Sequence, residues 1–535
     1  MTQIPAGTPG PRPSLFRPRQ GSRGAVRGLL WLVLFLGAAG CMVGPNYKAP
    51  PLATAETWLE AGDQRVSTQP AEYRAWWRTF DDPVLDRLVH SAYQQNLPLR
   101  QAGVRVLEAR AQLGIARGQL FPQTQQAFGS LVYNRLSENA PDGVRSSQFS
   151  FYQSEIGATA TWELDFWGRF RRAIESADAS LMASVADYDS TLVSLTADVA
   201  STYILIRTLE KRLSIARENV RIQRESLGIA EARFEGGTTS MRDVEQAKTV
   251  LASTEASIPT LESQLRQAKN SLCVLLGLPP QHLTEELKGP EKIPAPPHTV
   301  AVGIPADLLR RRPDVKQAQY LAMAQSARIG VAKADLFPAF SLSGSLGLLS
   351  SNMGNAALGN MFQWPSRTVA AGPGVQWNIF NYGRLQNNVR AQDARFQELL
   401  LVYQNVVLRA QQEVEDSLVA FLRTQERAAF LSESASAAMR SLDLAIIQYR
   451  EGITDFTTVL TAQQSLLEQQ DNLATSMGDI ALNLVGVYRS LGGGWEIREG
   501  QPLVPPAIQE AMANRTSWGK LLQPVNLVVP VEARQ

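Results

Sequence analysis

The feature that most constrains this chain is a stretch that occurs twice. Residues 169–235 and 384–450 are each 67 residues long, open with the same Gly-Arg step (Gly168-Arg169, Gly383-Arg384), contain no proline and close near a glycine, Gly237 or Gly452. Both stretches read as helices of roughly 100 Å at 1.5 Å per residue, several times the usual length in a compact domain. In the first, Leu192, Leu195, Val199, Tyr203, Ile206, Leu209, Leu213, Ala216, Val220, Gln223, Leu227, Ala230 and Phe234 advance in steps of three or four. The mean step of 3.5 is the period of a left-handed coiled coil. Shifting by 215 residues carries the seam onto Val407, Ala410, Val414, Leu418, Phe421 and onward to Tyr449. Its many small residues predict closely packed helices. A soluble coiled-coil dimer is the plain alternative, and the flanking sequence argues against it.

The chain has 535 residues, 44% of them hydrophobic. That length alone would allow several domains, whereas the repeat predicts one elongated unit of two halves. Two cysteines, Cys41 and Cys273, make no disulfide framework or zinc spacing, and three scattered histidines form no ligand cluster. No phosphate loop, dinucleotide fingerprint or nucleophile elbow is present, so the sequence predicts neither an enzyme nor a cofactor. Residues 1–40 hold five arginines, no acid and the apolar run 29–39, the pattern of a secretory signal too short to span a bilayer. Its removal takes the formal charge from +2 to −3, which makes nucleic acid a poor partner. Ala38-Ala39-Gly40-Cys41 resembles a bacterial lipoprotein box, which implies diacylglycerol and palmitoyl groups on Cys41; Met42 in the sorting position implies the outer membrane. An ordinary secreted protein with an incidental cysteine is the alternative.

Residues 83–117 have helical spacing, with a break near Pro98 and a stop at Phe121-Pro122. Then the period changes to two. Tyr152, Ile156, Ala158, Ala160, Trp162 and Leu164 alternate with Gln153, Glu155, Thr159, Thr161, Glu163 and Asp165, and similar runs return at 339–348 and 368–379. With 123–135, these make four strands in two hairpins, each long enough for a tilted membrane strand. Four strands cannot close on themselves, and an open edge is not tolerated in hydrocarbon. The chain must therefore pool strands with copies of itself, eight from two chains or twelve from three. Trp162 and Trp377 suit an interfacial aromatic girdle; packing inside a soluble sandwich is the alternative. Beyond each long helix a glycine-bearing tip leads into a 37-residue helix, 240–276 or 455–491, with Pro259 as the expected kink site in the first. Two short helices are expected to stack end to end beside each long one, with a proline-rich collar at their junction.

The assembled motifs closely resemble the TolC-type outer-membrane factors, and among them the NodT lipoprotein branch. They are Gly44-Pro45-Asn46-Tyr47 after Cys41, Trp76-Trp77, Leu336-Phe337-Pro338, Ile304 through Arg312-Pro313-Asp314, and Leu491-Gly492-Gly493-Gly494-Trp495. The resemblance implies a mainly α fold with a transmembrane β-barrel, in a homotrimer sharing a 12-stranded barrel and a 12-helix periplasmic tunnel. It also implies a periplasmic adaptor and an inner-membrane resistance-nodulation-division pump as partners. On this reading 41–82 is an anchor and collar segment, 83–277 the first repeat, 278–303 a collar linker, 304–492 the second repeat, and 493–535 a collar segment and tail, with no sustained period from 496 on. The expected function is a passive efflux duct. The alternatives are an exit duct for secreted polypeptide and, more remotely, a periplasmic adaptor.

The resemblance places a gate at the far tips, commonly with an acidic ring. Here Thr461 occupies the acidic place, leaving Asp455, Glu451 and Asp243 as gate candidates; helix-end carboxylates in solvent are the plain alternative for each. Gly237, Thr239, Gly452 and Thr454 are assigned to the tip turns and adaptor docking.

Overall fold

The computed structural model describes residues 42–69, 72–137, 149–305, 311–353 and 357–522. The leader, Cys41, positions 306–310 of the Ile304 motif and the tail from 523 lie outside the described residues. In chain order the elements are β1 (Val66–Ser67), α1 (Pro83–Gln95), α2 (Leu97–Gly118), β2 (Thr124–Arg135), β3 (Ser150–Leu164), α3 (Arg169–Glu235), α4 (Met241–Leu275), β4 (Val300–Ala301), α5 (Pro313–Ala334), β5 (Ala339–Ser351), β6 (Arg367–Gln376), α6 (Arg384–Arg450), α7 (Phe456–Ser490) and α8 (Pro506–Arg515). Contacts divide the chain into two units. One holds the described part of Met1–Pro45 with Gly118–Arg172 and Gly330–Val389; the other holds Asn46–Arg117, Ala173–Ile329 and Arg390–Gln535.

The first unit is built on an antiparallel sheet of order β2-β3-β5-β6, two hairpins side by side. Directly opposed residues share a face. The register therefore lines up Ala127, Ala158, Leu346 and Val369 in one row, and Trp162, Leu342 and Pro373 in another. The opposite face carries the rows Gln126, Thr159, Ser345 and Thr124, Thr161, Ser343, with Phe128, Val132, Phe151 and Leu349 as apolar interruptions. On the apolar face Leu131, Ile156, Leu342, Leu346, Val369 and Val375 are 46–73% exposed, so no described core covers it. Pro373 sits on the edge strand, where a missing N–H costs least. Among the described residues no ladder joins β2 to β6. The expectation that the fourth strand reaches Ile379 is corrected: β6 ends at Gln376, because the Ile379 N–H turns back to the Trp377 carbonyl at 3.1 Å instead of extending the ladder.

The second unit is helical, and the seam read from the sequence is its core. Leu192, Val199, Tyr203, Ile206 and Ala230 on α3 are fully buried, as are Ala410, Val414, Leu418 and Phe421 on α6. The seam loosens at Phe234, which is exposed, and at Thr424, Ala428 and Leu431, which are only partly buried. The break between α1 and α2 falls at Asn96, two residues before Pro98. Its side chain caps α2 at the Leu99 N–H (2.9 Å) and donates to the Leu275 carbonyl at the end of α4 (2.9 Å). The second half repeats this junction with different chemistry, since Arg312 Nη1 donates to the Ser490 carbonyl at the end of α7 (2.8 Å).

Around these junctions the sequence motifs meet. Trp76, fully buried, stacks on Tyr488 at 5.3 Å, and a side chain at Gly493 would come within 3.0 Å of its indole. The residues after 493, which show no sustained period in the sequence, include a helix. Their 10-residue helix α8 buries Met512, and Leu503 passes so close to α2 that a Cβ on Gly103 would lie 2.4 Å from its carbonyl oxygen. The proline-rich linker is pinned as well, because β1 pairs parallel with β4 and Trp58 Nε1 donates to Gly303 O at 3.1 Å.

Close approach of α7 to α3 rests on Gly478, where a Cβ would lie 2.3 Å from Thr208 Oγ1. Gly478→Ala must push the helices apart, and we expect a loss of about 1–3 kcal/mol, read as a lower melting temperature of the purified protein. At the linker, Arg65 grips Asp63 (2.6 Å) and Glu426 on α6 (2.9 Å), and its hydrogen bond to Asp63 holds that carboxyl at about 2, below its ordinary 3.8. A depressed folded-state value stabilises the fold above pH 3.8 and is lost as pH falls toward 2. Hydrogen exchange of the 58–67 segment should rise across that window in the wild type and not in Asp63→Asn.

Candidate functional site

The helix tips are built alike. At the end of α3 the Gly237 N–H donates to Phe234 O and the Thr238 N–H to Arg233 O, both at 2.9 Å; at the end of α6 Gly452 and Ile453 donate to Tyr449 O (3.1 Å) and Gln448 O (2.8 Å). Gly237 and Gly452 have φ of +71° and +77°, the left-handed conformation that this helix stop requires. A Cβ on Gly237 would meet nothing within 4 Å, so conformation, not space, demands glycine there.

The acidic candidates separate at the next step. Asp455 caps α7, accepting from the Thr458 N–H at 3.2 Å and its hydroxyl at 3.0 Å, and its carboxylate remains exposed. Thr454 Oγ1 donates to Thr458 Oγ1 at 3.0 Å. Asp243 is buried and serves its own turn, accepting from the hydroxyls of Thr239 and Ser240. Glu451 and Thr461 are exposed, and Thr461 Oγ1 returns to the Thr457 carbonyl at 2.9 Å. Two tip carboxylates thus face solvent, while the third is occupied within the fold.

Cross-links between the two halves were not legible in the sequence. Arg233, near the end of α3, donates to the Tyr449 carbonyl on α6 and places its guanidinium 4.5 Å over the Tyr449 ring. Arg212 forms a two-pronged pair with Asp471 on α7 at 2.7 and 2.9 Å, Asn219 donates to Gln470 at 2.9 Å, and Gln463 donates to Ser226 at 2.6 Å in a buried position. No periodicity announces such pairs, which join residues more than 200 positions apart.

In the sheet unit, Trp162 Nε1 donates to Leu120 O at 3.1 Å and Trp377 Nε1 to Leu336 O at 3.0 Å. Each indole has its N–H satisfied and its ring partly in the open. Among the described residues no group of three or more His, Cys, Asp or Glu could hold a metal. A buried carboxylate lies elsewhere, at Asp189, where burial pushes the carboxyl up against the opposing pull of Arg498, which holds it at 2.8 Å.

Comparison with known proteins agrees with this architecture. The family model for outer membrane efflux proteins matches residues 88–278 and again 304–493. Nodulation protein T of Rhizobium leguminosarum bv. trifolii is 30% identical over 85% of this chain and 95% of its own length. The toluene efflux pump outer membrane protein TtgC of Pseudomonas putida is 31% identical over 86% of this chain and 94% of its own length. The solved outer-membrane channel OprN superposes with a TM-score of 0.80 at 32% identity, covering 85% of this chain and all of that one. The chain is a TolC-like channel protein and belongs to the outer membrane efflux protein family.

Proposed function

We propose that this protein is the passive outer-membrane duct of a tripartite efflux system, working as a homotrimer whose three sheets close into one 12-stranded barrel. The sheet carries the reading. Its four strands present a continuous apolar face to the outside, a largely polar face behind it and, among the described residues, two unpaired edges. An open edge in hydrocarbon would leave several backbone groups unsatisfied, each at a cost of several kcal/mol, so copies must supply the missing ladders. In the trimer the polar faces line the lumen, the long helices form the wall of a 12-helix tunnel, and the tips meet a periplasmic adaptor through the turns at Gly237, Thr239, Gly452 and Thr454. An inner-membrane resistance-nodulation-division pump supplies the energy, and acyl groups on Cys41 tie the protein to outer-membrane lipid. A relative named for toluene efflux favours small-molecule cargo over the alternative of secreted polypeptide.

The gate reading assigns the exposed carboxylates of Asp455 and Glu451 to the lumen end of the tips. Arg233 acts as a latch, tying the first tip to the second.

Detergent-extracted protein is expected to have the mass of three chains and a strand signal in circular dichroism; a monomer with the same signal would sink the duct. In planar bilayers Asp455→Asn keeps the helix cap and removes the charge, so cation preference should fall while the fold persists; unchanged selectivity would take Asp455 out of the gate. Arg233→Ala removes a hydrogen bond and a cation–π contact of together about 1–3 kcal/mol and should raise the leak conductance about tenfold.

A further inference from the structure

The apolar face of the sheet changes character along its length. On the described strands the two carboxylates, Glu155 and Glu163, lie on the polar face, whereas the two arginines, Arg135 and Arg367, lie on the apolar one. Register decides this. Arg135 pairs with Ser150, just beyond the Tyr133 and Tyr152 pair, and Arg367 pairs with Leu348, whose other neighbour is Ile156. Both arginines are exposed and stand at the hairpin ends of their strands, away from the ends that lead into helices. Neither has an ion-pair partner among the described residues.

Aromatic rings gather at the same end. Tyr133 and Tyr152 are directly opposed, with ring centroids 5.2 Å apart, and are 55% and 46% exposed. The connection between β5 and β6 folds back onto this face, where Ser350 Oγ donates to Ala357 O at 2.8 Å and Ser154 Oγ to Met361 Sδ at 3.4 Å. It leaves Phe362 and Trp364 widely exposed, and the Arg367 guanidinium lies 3.4 Å over the Trp364 ring.

Distance along the strands gives these arginines a place. Ser150, beside Arg135, is twelve residues from Trp162, and Arg367 is ten residues from Trp377. At about 3.3 Å per residue these separations are roughly 40 and 33 Å along the strand. A membrane strand tilted by about 40° turns them into roughly 30 and 25 Å along the bilayer normal, close to the thickness of the hydrocarbon core. Each arginine is thus about one hydrocarbon thickness from the tryptophan of its own hairpin. Arginine on a lipid face is costly at mid-bilayer and well tolerated at the boundary.

We propose that Arg135 and Arg367 bind the phosphate groups of the phosphorylated glycolipid in the outer leaflet, with Tyr133, Tyr152 and Trp364 packed at the base of its headgroup. The inference rests on the duct reading, in which Trp162 and Trp377 mark the periplasmic boundary of the barrel and the hairpin ends face the exterior. A guanidinium presents paired N–H donors that match a phosphate, and no carboxylate on this face of the described strands competes for them. β2 and β6 are also the two edge strands, so barrel closure sets the Arg135 edge of one copy against the Arg367 edge of the next. Each subunit seam then holds both arginines, and a bound lipid ties two chains together.

The test uses the full chain purified in detergent, its mass read first by native mass spectrometry; a monomer there removes the duct reading itself. Bisphosphorylated lipid A, or the same lipid stripped of phosphate, is then added to the trimer. The phosphorylated form should bind about tenfold tighter to the wild type, and the Arg135→Gln, Arg367→Gln double variant should lose that preference. Phosphorylated lipid A should also raise the melting temperature of the wild-type trimer and not that of the double variant. Because both side chains face away from the lumen, cation preference in planar bilayers should be the same in the two proteins. A phosphate preference that survives the double substitution, or an altered ion selectivity, overturns the inference while leaving the trimeric duct intact. Equal binding of phosphatidylglycerol overturns the glycolipid as occupant. Both arginines are exposed, so glutamine leaves no buried group unpaired and the double variant is expected to fold.

Discussion

Backbone hydrogen bonding in hydrocarbon is the constraint on which the rest of this structure depends. A sheet of four strands satisfies its interior ladders and, among the described residues, leaves two edges open; it does so with an apolar face that no described residue covers. In water such a face would be a liability. On the duct reading proposed above it is the lipid contact, and the open edges become the demand for copies of the chain. The small and hydroxyl residues behind it, such as Thr159, Ser343 and Ser345, could face water without leaving buried charge unpaired.

The helical unit answers a different requirement, that very long helices stop at defined points. Gly237, Gly277, Gly452 and Gly492 all have positive φ near +70°, and all four stops use the same pair of backbone hydrogen bonds. With the ends fixed, the apolar seam fixes the packing between them. Side chains then add contacts specific to one place, such as Asn96 at one short-helix junction and Arg312 at its counterpart.

The departures from the repeat are as informative as the repeat. Asp455 caps its helix from outside and stays exposed, whereas Asp243 sits inside its turn and is buried, so equivalent tips present different charge. Arg172 and Asn387 differ in the same way: one is buried and donates to the Val43 carbonyl, while the other lies beside its own Gly383. The repeat sets the frame, and single residues that differ within it change burial and exposed charge.

Much of the fold was legible in the sequence because periodicity is a local signal. A step of 3.5 over 42 residues predicts a coiled-coil helix, alternation at 152–164 predicts a two-faced strand, and the glycines mark the stops. The same local signals overran at Trp377 and Ile379, where alternation continues but the ladder has ended, and they gave no hint of α8, whose order comes from packing of residues 503 and 504 against Gly103. The tip candidates could be named but not ranked, since burial of Asp243 and exposure of Asp455 are properties of the packed turn. The Arg233–Tyr449 tie, the Arg212–Asp471 pair and the Arg172–Val43 hydrogen bond join residues 129 to 259 positions apart. By itself the sequence determined which segments are helix or strand and which face of each is apolar, because those follow from the spacing of neighbours along the chain. Only the tertiary structure decided which charged side chains meet and which are sealed from water, because that depends on distances in space that no spacing in sequence encodes.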